Sequence, residues 1–248
     1  MGNVKSTAEN AANETVISRR MPNPKLVDRV LAPIRQQIQD LVVSTGKSSK
    51  GGPKMMRVLD VACGTGDQLF RLRRDNQIDY GLGIDLNPES IQYARERAQA
   101  AGLVLYNDDN DNHDCLEYRI QDLQDLQQQQ QTETDNQFDI AMATLFFHVV
   151  PWPTAVSLLM TMSSMAPKLI VAAFVPGEKW QDKLLLWLDQ RFTSHYAAFC
   201  HYLEKGSFEG LLQECDNCLE VEQVLLTNDA TIRIYVLRSK AFVNGQGN

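Results

Sequence analysis

Two glycines and three acids in this chain are spaced to hold a nucleoside. The first group is Asp60-Val61-Ala62-Cys63-Gly64-Thr65-Gly66-Asp67. An apolar β-type run, Val58 to Val61, leads into it, and a helical stretch, Gln68 to Arg73, follows at once. Strand, glycine turn and helix in that order build a nucleotide site in a doubly wound α/β domain. The glycines let the backbone turn tightly and let a ligand approach without meeting a Cβ.

The turn also says which nucleotide. A dinucleotide fingerprint reads G-x-G-x-x-G/A and seats a pyrophosphate on the helix N-terminus. Here the third glycine position is Leu69. Asp67 stands in the first helical turn, where its carboxylate is expected to occupy the positive end of the helix dipole and repel a pyrophosphate. A cationic nucleoside without phosphates suits the turn better, and S-adenosylmethionine, a sulfonium, is one. A nicotinamide-dependent dehydrogenase is disfavoured on the same grounds.

Tyr80-Gly81-Leu82-Gly83-Ile84-Asp85-Leu86 is a second strand ending in an acid. Asp85 follows Gly64 at about the 20-residue spacing that brings a strand-2 acid to a ribose. Asn87-Pro88-Glu89-Ser90 then opens a helix, with Pro88 near its first position. Asp122 follows the third strand, and Thr144 ends the fourth. Asp85 and Asp122 have a plainer explanation as turn or N-cap acids. Their shared register with the glycine turn favours the binding role.

These motifs resemble the class I S-adenosylmethionine-dependent methyltransferases. Asp-x-x-Cys-Gly-Thr-Gly at 60–66 and Gly-x-Asp at 83–85 are similar to that family's first two motifs. The spelling Asp-Val-Ala-Cys-Gly-Thr-Gly-Asp is similar to the ubiquinone and menaquinone biosynthesis methyltransferases and their small-molecule relatives. The resemblance covers about residues 55–240 and is stronger in the cofactor half. It implies that Asp60, Gly64, Thr65 and Gly66 frame the methionine part of S-adenosylmethionine. It implies that Asp85 holds the ribose and Asp122 meets the adenine amino group. Ala62, Leu86, Leu123 and Thr144 complete the expected cofactor set.

Methyl transfer is an in-line displacement that needs proximity and alignment above all. An oxygen or carbon nucleophile can also need a base. His148 is the best placed by position, because imidazole titrates near neutral pH. Its plainer explanation is a packed histidine in the loop after strand four. His195 and His201 lie where the resembled family builds its substrate lid. The aromatics Phe192, Tyr196, Phe199 and Tyr202 either line a planar substrate pocket or form the buried stripe of a helix. Trp152 and Trp180 carry the same two explanations. Strand four ends in Ala143-Thr144-Leu145-Phe146-Phe147-His148. It lacks the Asn/Asp-Pro-Pro-Tyr/Phe signature of amino-group methyltransferases on nucleic acid or protein. Methyl transfer to an oxygen or carbon of a small aromatic or apolar molecule is therefore expected. A cofactor-binding regulatory protein without chemistry is the alternative, as is a protein or RNA methyltransferase.

The elements that must position these residues alternate. Strands are expected at 57–63, 80–86, 116–121, 138–147 and 168–175. Helices are expected from 67, at 88–101, 153–165, 178–192 and 207–215. Strands at 219–226 and 231–238 are too close for a crossover helix and should pair antiparallel. The fold class is therefore α/β, a Rossmann-like doubly wound seven-stranded sheet, mostly parallel. One late antiparallel strand is similar to the methyltransferase order 3-2-1-4-5-7-6. An amphipathic helix at 24–43 and a flexible linker at 44–54 precede the sheet, within a single domain at 24–240. Residues 1–23 and 241–248 read as tails. Asn107–Asp114 and the glutamine-rich stretch from Gln127 to Gln137 read as solvated loops.

Composition sets the outer bounds. A chain of 248 residues suits one α/β domain. The net charge of −7 argues against a nucleic-acid partner. No run approaches the length of a membrane span. Five cysteines and no signal peptide favour a reducing, cytoplasmic setting. Cys215-x-x-Cys218 lacks a second pair, so no metal is expected. Met1-Gly2-Asn3-Val4-Lys5-Ser6 matches the pattern for myristoylation of Gly2, which alone anchors a protein weakly to a membrane.

Overall fold

The computed structural model describes residues 24–46, 56–106, 115–130, 138–177 and 194–242. The expected features at Gly2, most of the 44–54 linker, the 107–114 stretch, Trp180 and the 178–192 helix lie outside them. Three edges of the domain plan, the tails at 1–23 and 243–248 and the linker at 47–55, do so too.

Helix α1 spans Pro24–Gly46, three residues longer than the sequence spacing suggests. Then come β1 (Arg57–Val61), α2 (Asp67–Arg74), β2 (Tyr80–Asp85), α3 (Pro88–Ala100) and β3 (Leu116–Ile120). The second half adds α4 (Leu123–Gln130), β4 (Ile140–Thr144), α5 (Trp152–Met165) and β5 (Lys168–Phe174). It closes with α6 (Tyr196–Glu204), α7 (Ser207–Glu214), β6 (Leu219–Leu226) and β7 (Ile232–Ser239). The seven strands form one sheet in the order β3-β2-β1-β4-β5-β7-β6. Strands β1 to β5 pair in parallel, and β7 runs antiparallel to both neighbours. The mostly parallel seven-stranded sheet is the one expected from the alternation of elements, and its order is the one the family resemblance implies.

Successive β1 residues feed opposite layers, as the period of two requires. Leu59 and Val61 pack towards α5, whose Ala155, Leu159 and Met162 are fully buried. Val58 packs on the other face with Leu69 and Leu72 of α2, Ile91 and Ala94 of α3, and Ile38 and Val42 of α1. Each such fully buried aliphatic side chain contributes about 1.5–3 kcal/mol of burial free energy. A strand buried on both faces should be apolar throughout. Asp60 breaks that pattern in β1, between Gly83 of β2 and Met142 of β4.

Two expectations are corrected. The glutamine-rich stretch is not a loop at its start, because Gln127–Gln130 form the last turn of α4. Glutamine is a good helix former, and Leu123 and Leu126 are buried beneath this helix. Strand four is also shorter than the apolar run 138–147. It stops at Thr144, because Leu145 adopts φ 53° and turns the chain out of the sheet.

Candidate cofactor site

The site is assembled at the carboxyl ends of the strands nearest the sheet centre, where the chain reverses its direction of winding. Beyond Val61 the backbone leaves the sheet through three left-handed residues: Ala62 at φ 55°, Gly64 at 53° and Gly66 at 66°. The Cys63 amide donates to Ile84 O at 3.0 Å, which ties the turn to β2. The Gly66 amide donates to Cys63 O at 2.9 Å and closes it. Gly66 then caps α2.

Asp85 anchors the turn from β2. Its Oδ2 accepts the Gly64 amide at 2.8 Å, and its Oδ1 accepts the Asn87 amide at 2.8 Å. Asn87 in turn caps α3, accepting the amides of Glu89 and Ser90. A carboxylate has about four acceptor positions, so Asp85 keeps capacity for ligand hydroxyls after both amides are bound. Asp122 is also a local acceptor. Its Oδ1 takes the Gln124 amide at 2.7 Å and starts α4.

A cavity of about 430 Å³ opens between these groups. Ala62, Asp85, Leu86, Asp122, Leu123 and Thr144 all line it. Asp60, Gly64, Thr65 and Gly66 are not among its described lining, although the turn they belong to begins at Ala62. The side chain of Leu86 is 65% exposed, an apolar surface at the mouth. The far wall is apolar, formed by Phe146, Val149, Val150 and Leu158. The titratable side chains in the described lining are Asp85 and Asp122, and that lining includes no lysine or arginine. Arg95 and Arg119 line the adjoining cavity on the other side of Asp122.

Asp60 is 2% exposed. Burial, with the nearby charges of Asp85 and Asp67, pushes its carboxyl pKa well above the usual range. Thr144 contributes a buried Oγ1 without a hydrogen-bond partner among the described residues. Leu145 also lines the cavity, and its left-handed backbone mirrors that of Ala62 on the adjacent strand. Such conformations in non-glycine residues concentrate at ligand sites. Nothing in the sequence marked Leu145, because an apolar residue after an apolar strand carries no turn signal.

Asp67 does not present a bare charge at the helix start, as its position in the turn suggested. Its carboxylate is bound by Arg35 of α1 at 3.0 Å, Arg71 at 2.8 Å and Arg97 of α3 at 2.8 Å. Burial pushes its pKa up. The Arg71 hydrogen bond and the charges of Arg35, Arg71 and Arg97 outweigh that and hold it below the ordinary value. Repulsion by Asp67 therefore gives no ground for rejecting a pyrophosphate. The cavity lining, which holds two carboxylates and no basic side chain, disfavours a pyrophosphate instead.

Residues 53–169 match a family model described as a methyltransferase domain. Over that segment the chain carries a methyltransferase domain, and its fold is that of the class I S-adenosylmethionine-dependent methyltransferases. The match is to the general domain and not to a ubiquinone or menaquinone branch. No curated protein sequence is significantly similar to the chain. Among solved structures, it is similar to magnesium protoporphyrin IX methyltransferase from Synechocystis PCC 6803 with bound S-adenosylhomocysteine. The identity there is 16%, the TM-score 0.56, and the alignment covers 94% of each chain. The methyltransferase domain of bacterial CtHen1-CN aligns at 12% identity and TM-score 0.57, over 84% of this chain and 99% of that one. An O-methyltransferase family 2 protein from Planctomyces limnophilus DSM 3776, in complex with apigenin, aligns at 18% identity. Its TM-score is 0.54, over 87% of this chain and 61% of that one. At such identities the likeness establishes the fold.

The methyltransferase domain places its two candidate catalytic histidines together. The rings of His148 and His195 lie 5.3 Å apart. His148 is 5% exposed and meets Phe174, Phe199 and Tyr202 edge-on, at 4.7, 6.0 and 6.4 Å. Burial, helped by repulsion from His195, lowers its pKa to about 3. It is therefore a neutral imidazole near pH 7, with weak proton affinity. His195 is half-buried at the start of α6. His201 stands beside Trp152, its ring 6.5 Å away. Phe199 and Tyr202 are buried and Tyr196 is half-buried. Phe192 lies outside the described residues. Trp152 is a core residue whose indole donates to Glu214 at 2.7 Å. Cys218 donates to the Cys215 carbonyl at 3.2 Å at the end of α7. Among the described residues no helix is long and apolar enough to cross a membrane.

Proposed function

We propose that this methyltransferase domain passes the methyl group of S-adenosylmethionine to an oxygen or carbon of a small aromatic or apolar molecule. The observation that carries the cofactor half is the cavity itself. It pairs two carboxylates with an apolar wall, and its described lining holds no basic side chain. A cationic nucleoside without phosphates gains from such a lining, and a pyrophosphate does not.

In this reading Asp85 receives the ribose hydroxyls on its free lone pairs. Leu86, Leu123 and the apolar wall take the adenine faces, and Asp122 accepts the adenine amino group. Ala62, Gly64, Thr65 and Gly66 pass beside the methionine part, with Asp60 buried beneath them. Thr144 offers its unpartnered hydroxyl to the ligand. The chemistry is displacement at the sulfonium methyl: the acceptor atom bonds to the methyl carbon as the carbon–sulfur bond breaks. The sulfur keeps the electron pair, S-adenosylhomocysteine leaves, and the acceptor's O–H or C–H proton is released to solvent. Holding the acceptor in line supplies most of the acceleration.

His148, buried and of low proton affinity, is not the base in this reading, and His195 is the more exposed of the pair. The magnesium protoporphyrin IX, mitomycin and apigenin named for structures of similar fold are small molecules, which supports this acceptor class. The proposal extends to a single domain over 24–240 and to a cytoplasmic setting, which the free cysteines support.

The test is a screen of small aromatic and apolar acceptors with methyl-labelled S-adenosylmethionine. Transfer of label to at least one phenolic, carboxylic or carbon-acid acceptor is expected. Label transferred to protein or RNA alone would replace the small-molecule assignment.

A further inference from the structure

We propose that Tyr118 is a positioning residue for the cofactor turn, fixing Gly66 from beneath through its ring and hydroxyl. The inference rests on the cofactor reading above. Tyr118 lies in β3, two strands away from β1. It is 2% exposed, and its hydroxyl donates to Gly66 O at 3.1 Å. The same carbonyl accepts the Phe70 amide at 3.0 Å. One oxygen thus joins the end of the turn, the first turn of α2 and β3.

The ring crowds two glycines, Gly66, whose left-handed backbone also favours glycine, and Gly83 of β2. A Cβ at Gly66 would lie 2.4 Å from Tyr118 Cε1. A Cβ at Gly83, in β2, would lie 2.7 Å from Tyr118 Cδ1. Gly64 differs, since a Cβ there would meet nothing within 4 Å. The glycines therefore divide by purpose. Gly64 leaves open space beside the turn, whereas Gly66 and Gly83 form the slot that Tyr118 fills.

Tyr118 is itself held. Arg95 of α3 donates to its carbonyl from Nε at 3.0 Å and again from Nη2. Burial pushes its phenol pKa up, so the hydroxyl remains a donor at neutral pH. Removing the hydroxyl leaves Gly66 O with one partner and frees the turn to shift, while the ring still fills the slot.

The test compares the full-length protein with Tyr118→Phe, reading S-adenosylhomocysteine affinity by calorimetry and amide exchange over residues 64–70. The lost hydrogen bond should weaken affinity about three- to tenfold. Exchange at Gly66 to Phe70 should speed up, with the melting temperature nearly unchanged. A second arm adds Gly83→Ala. It should weaken binding beside Tyr118 and weaken it less in a Tyr118→Val background, where Cys63 Sγ, 2.9 Å from the new Cβ, remains in its way. Native affinity with native exchange in Tyr118→Phe overturns the proposal. If the unaltered protein binds neither S-adenosylmethionine nor S-adenosylhomocysteine, the cofactor reading fails, and the exchange of residues 64–70 still decides the role of Tyr118.

Discussion

The Asp85 carboxylate receives the Gly64 amide at 2.8 Å and so couples the acid of β2 to the glycine turn of β1. A second amide, from Asn87, occupies its other oxygen. The residue read as a ribose acceptor is thus also the clamp that shapes the turn. Asp85→Ala should lose both functions. The expected result is at least a tenfold loss of S-adenosylmethionine affinity, with a stability loss of about 1–3 kcal/mol from two unpaired amides. Calorimetry and chemical denaturation measure the two effects separately. Unchanged affinity would remove Asp85 from the site.

Thr144→Val should move stability and binding in opposite directions. The Thr144 hydroxyl is buried with no partner among the described residues, a desolvation cost in the free protein. Replacing it with a methyl of similar size should raise the melting temperature without ligand. If the hydroxyl meets the cofactor, affinity should fall several-fold. A variant less stable than the parent would show that the hydroxyl is satisfied in the free protein.

Asp67 joins three helices through Arg35, Arg71 and Arg97. Asp67→Ala should destabilise the fold by a few kcal/mol, since three guanidinium groups lose their shared carboxylate. Because the folded pKa is depressed, this stabilisation is full above the unfolded value near 3.9. It is lost as pH falls through the folded value. The parent and variant should therefore converge in stability at strongly acidic pH, measured by urea denaturation. A constant difference down to pH 2 would contradict the ion cluster.

His148 gives a second pH signature in a different window. Its folded pKa, about 3, lies below the ordinary 6.5. Between those values the unfolded chain takes up a proton that the folded chain refuses, so stability falls as pH falls. The slope should be about 1.4 kcal/mol per pH unit from this group. The rings of Phe174, Phe199 and Tyr202 and the neighbouring His195 surround it. His148→Phe should flatten stability against pH between 3 and 6.5. An unchanged slope would mean that His148 is protonated in the folded protein.

The parts of this structure that the sequence announces are local. The Gly64-Thr65-Gly66 turn, Asp85 and the strand–helix alternation each sit within a few residues of their own signal. The short connection between β6 and β7 announces their antiparallel pairing, whereas the strand order 3-2-1-4-5-7-6 is implied by the family resemblance. What stayed hidden depends on distant partners. Arg35 and Arg97 meet Asp67 only after three helices pack, so its charge looked free in the chain. Tyr118 carries no signal in the sequence, because the slot it fills is made by Gly66 and Gly83 on other segments. Leu145 ends β4 by a backbone choice that its side chain does not advertise. The glutamines of α4 were masked by their own repetition, which drew attention from Leu123 and Leu126 on the buried side.

The most direct test is a calorimetric titration of the unaltered protein with S-adenosylmethionine and S-adenosylhomocysteine, with NADH alongside. The account predicts saturable one-site binding of the first two and none of NADH. Tight NADH binding, or no binding of either adenosyl ligand, would contradict it.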